Sequence, residues 1–207
     1  MKTLPIILIS YSVTFLPTVY SIMCERCFDK NVTRCTSSNV TCGSSVKLCC
    51  SSITALSHKK LKIEMPQKFC GIPGIQNISY SITLNQTHIA SEALCCESDV
   101  CNKAIPQTPP RNLTKNEMKC PYCIKQGLGG CEPMNQTLCT GLEVMCVHFS
   151  GYLGFGGTPK EMSYQGCATP SACPQSTPDA NSNMWTNCTK AVHRSNNEGS
   201  HSMPIIN

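Results

Sequence analysis

The chain has 207 residues, of which 18 are cysteine, and its formal net charge at pH 7 is +5. About one residue in twelve is therefore a cysteine, a share typical of a disulfide framework in an oxidising compartment. The small positive charge is too weak to indicate nucleic-acid binding.

A hydrophobic segment opens the chain and predicts a secretory signal peptide over residues 1–21. Lys2 supplies a short basic region, residues 4–19 are mostly apolar, and cleavage after Ser21 would leave Ile22 as the first mature residue. A membrane anchor is the less favoured alternative, because the stretch is short and two prolines interrupt it. The last residues lack the hydrophobic tail that a lipid-anchor signal needs. We therefore expect a secreted, extracellular protein without a membrane anchor.

The cysteines repeat one spacing pattern twice along the chain. Gaps of 2, 7, 6, 6 and 20 residues follow Cys24, and gaps of 2, 7, 7, 6 and 20 residues follow Cys120. A repeat of this kind predicts a duplicated disulfide module. We place module one at residues 22–102, a proline-rich linker at 103–118, module two at 119–190 and a polar tail at 191–207.

Short alternating segments favour strands over helices in both modules. Residues 61–65 and 78–84 alternate apolar with polar side chains, and residues 145–152 do so less regularly. Turn signals separate these segments at Ser57-His58 and at residues 71–74 and 154–159. The sequence thus predicts a small, disulfide-rich, all-β fold, in which the disulfides compensate for a modest core.

Seven Asn-X-Ser/Thr sequons predict a glycoprotein with an exposed surface at those points. They begin at Asn31, Asn39, Asn77, Asn85, Asn112, Asn135 and Asn187.

Two Cys-X-X-Cys pairs, Cys24/Cys27 and Cys120/Cys123, raise the alternatives of a zinc site or a redox dithiol. A zinc site needs a second ligand pair at matched spacing, and a redox dithiol usually lies at a helix N-terminus; neither is predicted. We therefore interpret both pairs as structural. The five histidines form no metal-binding motif and are expected to be solvated or packed: His58, His88, His148, His193 and His201. We expect no catalytic residue, no metal ligand and no cofactor, and hence no enzyme.

The ends of module one resemble a known family. Residues 22–27, Ile-Met-Cys-Glu-Arg-Cys, and residues 95–102, Cys-Cys-Glu-Ser-Asp-Val-Cys-Asn, resemble the opening and closing segments of the urokinase-receptor/lymphocyte-antigen-six family, which has the three-finger fold. Two such modules in tandem, secreted and without an anchor, are most similar to the gamma-type phospholipase A2 inhibitors and the related two-module amphibian pheromone precursors.

Spacing alone leaves the disulfide connectivity open, but the resemblance implies a set of pairs. In module one these are Cys24–Cys49, Cys27–Cys35, Cys42–Cys70 and Cys96–Cys101. In module two they are Cys120–Cys146, Cys123–Cys131, Cys139–Cys167 and Cys173–Cys188. Module one lacks the family's seventh cysteine and has an extra one beside Cys49, so we predict that the remaining Cys50 and Cys95 pair with each other. Module two ends after Cys188 without a closing Cys-Asn loop, as gamma-type inhibitors also tend to do.

The resemblance implies a secreted, non-catalytic protein that binds extracellular proteins, among them a secreted phospholipase A2. Expected contacts are His58, Lys59 and Lys60 at the second finger tip of module one and Phe155 at the matching tip of module two. Ordinary solvated turns are the alternative for both tips. A signalling ligand or pheromone precursor that acts on a receptor is the second functional hypothesis. Because the similar inhibitors often assemble, a homo-oligomer is among the expected states.

Overall fold

The computed structural model describes residues 21–28, 35–71, 77–110, 112–153, 160–173 and 185–193. Residues 1–20 of the predicted signal peptide, Asn31, Phe155 and the tail from residue 194 lie outside these ranges. Within them the chain is nearly all strand, which confirms the predicted fold class.

Within the described ranges, six strands come from each module. Those of module one are β1 (Met23–Phe28), β2 (Ser38–Thr41), β3 (Cys49–His58), β4 (Leu61–Cys70), β5 (Ile78–Leu84) and β6 (Thr87–Cys96). Those of module two are β7 (Lys115–Gln126), β8 (Asn135–Thr140), β9 (Met145–Leu153), β10 (Lys160–Ala168), β11 (Trp185–Lys190) and β12 (Val192–His193). One 3-10 turn, Pro170–Ala172, follows β10. The three alternating segments of the sequence lie in β4, β5 and β9, which confirms them as strands.

The strands form one antiparallel sheet in the order β11-β9-β10-β5-β6-β3-β4-β1-β2, with β7 pairing β10, β8 and β12. In module one, β3 is the central strand, because all of its residues pair with both β4 and β6. These long pairings hold the β3–β4 hairpin rigidly against its neighbour as far as its tip.

Two boundaries differ from the division by sequence. Residues 115–118 of the predicted linker lie in β7, because Asn116 Nδ2 donates to the carbonyl oxygens of Gly141 and Glu143, both at 3.0 Å. The first residues of the predicted tail continue the sheet, since Ala191 N donates to Val144 O at 3.0 Å and leads into β12. The sequence did not show these boundaries, because single polar contacts produce no hydrophobic periodicity.

Half-cystines fill the base of each module. Cys24 and Cys49 are fully buried in module one, and Cys139 and Cys167 are fully buried in module two. Disulfides here close loops with sequence separations of 25 to 28 residues. Each such bridge stabilises the folded module by about 3–4 kcal/mol in the chain-entropy picture. Sulfur therefore provides the stability that a small aliphatic core lacks.

The two modules use one register position differently. In module one, Cys50 lies opposite Cys95 across β3 and β6, and the structure joins the two in a disulfide. In module two, the corresponding pair across β9 and β11 is Val147 and Cys188, and Cys188 is bonded instead to Cys173. Val147 thereby becomes part of an apolar core at the position where Cys50 is covalently bridged.

Asn102 closes module one. Its side chain is buried, and its Oδ1 accepts a hydrogen bond from Glu25 N at 3.0 Å. Its Nδ2 donates to Glu25 O at 2.8 Å and to Cys50 O at 2.9 Å. The asparagine of the closing motif therefore fastens the module's end to β1 and β3.

The modules meet where β5 runs beside β10, a contact that we call the junction. Thr83 pairs with Cys167 and Ile82 with Ala168 across the two strands. An apolar cluster drawn from both modules packs there: Ile82, Leu84, Ile89, Val147, Tyr164 and Ala168. Phe149 stacks on Tyr164 with ring centroids 4.8 Å apart. The two modules thus share one sheet and this apolar cluster, in addition to the separate half-cystine cluster at the base of each.

Candidate protein-binding face

The tip of the β3–β4 hairpin carries three of the predicted contact residues. His58 pairs with Leu61, so the chain reverses within two residues, Lys59 and Lys60. The turn signal read at Ser57-His58 is displaced, because strand pairing with β6 keeps both residues in β3. Lys59 has a φ of 52°, in the left-handed region that favours glycine. Both lysines are exposed at the end of a rigid hairpin.

The β5–β6 hairpin ends beside this tip. His58 lies opposite Thr87, and its Nδ1 is 2.8 Å from Thr87 Oγ1. Thr87 is also the threonine of the Asn85 sequon, and Asn85 is exposed in the adjoining turn. A glycan at Asn85 would therefore stand next to the lysine turn.

A cleft of about 380 Å³ lies between this hairpin tip and the linker, and we call it the tip cleft. Lys59, Lys60, Leu61 and Lys62 form one side, and residues 108–110 form the other. Ala55, His88 and Ala90 also line it, and all three are buried. The Lys59-Lys60 pair was visible in the sequence, but no sequence signal shows that the linker lines the same cleft.

An ion pair within β4 and a hydrogen bond from the linker meet on Glu64 beside the tip cleft. Lys62 Nζ is 2.6 Å from Glu64 Oε1, and Thr108 Oγ1 donates to the same oxygen at 2.9 Å. The hydrogen bond from Lys62, followed by that from Thr108, lowers the pKa of Glu64. Lys62 is thus largely neutralised, whereas Lys59 and Lys60 have no ion pair within the described residues. The cleft retains a positive rim.

His88 connects the tip cleft with the junction. Its Nδ1 lies 3.0 Å from Thr83 Oγ1 and 3.8 Å from Glu143 Oε1. Because the Thr83 hydroxyl donates to Glu143, it has only acceptor capacity left for His88. Nδ1 of His88 therefore carries the hydrogen in this arrangement.

Glu143 is the least expected residue of the structure, a carboxylate with no exposed surface at the junction. Its Oε1 accepts from Ser81 Oγ and Thr83 Oγ1, both at 2.9 Å. Its Oε2 accepts from Thr140 N at 3.1 Å and Thr140 Oγ1 at 3.2 Å. Burial raises the pKa of Glu143, and the hydrogen bonds oppose that rise. Four donors from both modules thus converge on one side chain.

The other predicted site residues are spread over the surface. The six described sequon asparagines are all exposed: Asn39, Asn77, Asn85, Asn112, Asn135 and Asn187. Among the histidines, His148 is partly buried, which lowers its pKa, and His193 is exposed 3.5 Å from Glu117. Phe155 and Asn31 fall outside the described ranges, so the structure gives no position for either.

Two groups of three cysteines bring their sulfur atoms within 4.8 Å of one another: Cys24, Cys42 and Cys70, and Cys120, Cys139 and Cys167. Every one of these sulfur atoms belongs to a disulfide, so none is a thiolate that could bind a metal. Both groups are cores of the module bases. Separately, the parts of the chain that the structure describes contain no helix of the length and apolarity needed to cross a bilayer.

Comparison with known proteins gives matches over both modules. The family model described as "u-PAR/Ly-6 domain" matches residues 20–104 and again residues 116–198. Phospholipase A2 inhibitor NAI of Notechis ater is 27% identical over 164 residues, covering 77% of this chain and 80% of that protein. The crystal structure of mouse TEX101 is 17% identical with a TM-score of 0.35, covering 82% of this chain and 97% of that chain.

Proposed function

The chain belongs to the u-PAR/Ly-6 domain family, and from that premise we propose that it is a secreted, non-catalytic protein-binding module that inhibits a phospholipase A2. The observation that carries the proposal is the β3–β4 tip, a rigid hairpin that presents two exposed lysines without ion-pair partners among the described residues. A relative named as a phospholipase A2 inhibitor supports the choice of partner.

The fold explains how such a protein would act without chemistry of its own. Paired strands and disulfides fix the hairpins before any partner is met, so little conformational entropy is lost on binding. A preformed face can then cover a partner's active site. The tip residues His58, Lys59 and Lys60 are the proposed contacts, and Phe155 stays a proposed contact on module two.

The test is to mix the purified full chain with a panel of secreted phospholipases A2 and follow lipid hydrolysis and gel-filtration mobility. We expect slower hydrolysis together with a stable complex for at least one enzyme. Unchanged hydrolysis and separate elution across the panel would remove the inhibitor proposal. The elution volume of the chain alone also tests the proposed homo-oligomer.

Secretion, processing and glycosylation are part of the same proposal. We infer removal of residues 1–21, glycans on the seven sequon asparagines, and modules at 22–102 and 119–190, the second extended by the strand residues 115–118 and 191–193. N-terminal sequencing of the secreted protein should begin at Ile22, and deglycosylation should increase its electrophoretic mobility. Peptide mapping without reduction should recover Cys50 bound to Cys95; a free thiol at either position, or an intermolecular bridge, contradicts that pair.

A further inference from the structure

We propose that the tip cleft binds an extended acidic segment of a partner protein, in which carboxylates flank an apolar side chain. The inference rests on the proposed function, because it describes the partner's recognition element by its chemistry. The site consists of the turn lysines, Leu61 and the linker residues Pro109 and Pro110, all of which line the cleft.

Charge is the first argument. Lys59 and Lys60 stand exposed on the rim, and their charges are not neutralised within the described residues. Lys62 is already paired with Glu64. Each exposed lysine–carboxylate contact contributes only about 0.2–1 kcal/mol, so charge orients an acidic ligand but does not hold it alone. A second source of affinity is needed.

The apolar lining supplies that second source. Leu61 keeps 57% of its surface exposed although it lies directly between two lysines in sequence. Pro109 and Pro110 line the same cleft. Burial of such surface contributes about 25 cal/mol per Å², so one apolar ligand side chain adds more than either lysine. A sulfated polysaccharide would use only the lysines and leave Leu61 in water, which favours a peptide.

The cleft is also preformed. Strand β3 of the hairpin is paired along its whole length with both β4 and β6, and Thr108 fastens the linker to Glu64. The proline rings of residues 109 and 110 fix their φ angles and limit the linker's freedom. Binding to such a site costs little reorganisation, so a short peptide suffices to detect it.

The experiment measures fluorescence anisotropy of labelled Glu-Glu-Leu-Glu-Glu peptide titrated with the full secreted chain at low ionic strength. Peptides with Gln in place of Glu, or Gly in place of Leu, serve as ligand controls. The double variant Lys59→Glu/Lys60→Glu tests the rim. The matched control is Lys125→Glu/Lys190→Glu, which changes the net charge equally at two exposed lysines of module two. Thermal unfolding verifies that each variant folds like the wild type.

We expect the rim variant to bind the acidic peptide about tenfold more weakly or worse, and the module-two variant to bind it as the wild type does. Leu61→Ser should weaken binding of the peptide that contains Leu and leave binding of the Gly peptide unchanged. Only the Leu side chain contacts the apolar lining in this proposal. Equal losses in the two double variants, or equal binding of the Leu and Gly peptides, overturn the proposal. So does binding of a short heparin-derived oligosaccharide through Lys59 and Lys60 without binding of the peptide.

The two proposals fail separately. If wild-type protein inhibits a phospholipase and the rim variant inhibits it equally, the proposed function stands and the cleft assignment is wrong. If the peptide binds as expected but no phospholipase is bound or inhibited, the cleft assignment stands and the choice of enzyme is wrong.

Discussion

The junction buries its charged group, whereas the tip cleft exposes its charged groups. The two regions are close, because His88 lies beside Glu143 at the junction and also lines the tip cleft. At the junction Glu143 has no exposed surface, and both carboxylate oxygens accept hydrogen bonds. At the tip cleft Lys59 and Lys60 are exposed and lack ion pairs in the described part of the chain. A buried and satisfied charge fixes structure, whereas an exposed and unsatisfied charge is available to a partner.

The contrast assigns different roles to the two regions of the sheet. The junction sets how the two modules lie relative to each other, because donors from β5 and from Thr140 meet on one carboxylate. The tip cleft depends on the linker, which Thr108 fastens to the hairpin through Glu64.

Removal of the Glu143 carboxylate should produce the largest effect. Glu143→Ala leaves the hydroxyls of Ser81 and Thr83 and the amide of Thr140 without their acceptor, and it opens a cavity at the junction. We expect a loss of about 3 kcal/mol in the free energy of unfolding, measured by urea titration with the disulfides intact.

The matched control is Glu143→Gln. Its carbonyl can accept from Thr140, and its amide can donate to the hydroxyls of Ser81 and Thr83, which rotate. We expect a cost of about 1 kcal/mol or less. Equal losses in the two variants would contradict this expectation, because Gln keeps the shape of Glu and the loss would then come from the missing negative charge.

The fold and the tip lysines could be predicted from the sequence, because both follow from residues that are close together in the chain. The spacing after Cys24 and Cys120 and the closing segment at residues 95–102 carry the family resemblance. Strand alternation identified β4 and β5. The turn between β3 and β4 was read two residues too early, at Ser57-His58, because the pairing with β6 that keeps both residues in β3 is not visible locally.

The junction could not be predicted from local sequence signals. Glu143 follows Gly141 and Leu142 in an ordinary turn sequence, and its partners Ser81 and Thr83 lie about sixty residues earlier. A carboxylate in a loop predicts solvent exposure, since such groups are almost never fully buried unless paired. Only the approach of β5 to β10 supplies the partners. The same holds for Pro109 and Pro110, which line the tip cleft together with Leu61 although they are distant from it in sequence.

The pH dependence of stability should separate the buried acid from the exposed one. Burial raises the pKa of Glu143 above the ordinary 4.5, so the folded protein binds more protons and loses stability as pH rises through that window. Hydrogen bonds lower the pKa of Glu64 below 4.5, so its contribution is present above that value and is lost as pH falls. As pH rises, Glu143 therefore lowers the stability of the fold and Glu64 raises it.

Unfolding free energies measured between about pH 3 and pH 8 in the wild type, Glu143→Gln and Glu64→Gln give the comparison. Relative to the wild type, Glu143→Gln should gain stability as pH rises above 4.5. Glu64→Gln should instead be less stable than the wild type at neutral pH, and this difference in the free energy of unfolding should disappear at acid pH. Parallel curves for all three proteins would contradict the assignment of either shift.

The smallest expected effect concerns the turn itself. Lys59 adopts a φ of 52°, which costs a residue with a Cβ about 1 kcal/mol relative to glycine. Lys59→Gly should therefore raise the free energy of unfolding by about 0.5–1 kcal/mol while it weakens binding of an acidic peptide. The control is Lys60→Gly, which removes the same charge at a residue outside the left-handed region and should not stabilise the protein. If Lys59→Gly gains stability and loses affinity, the hairpin tip retains a strained lysine for the sake of its charge, whereas the junction retains its carboxylate for the sake of the fold.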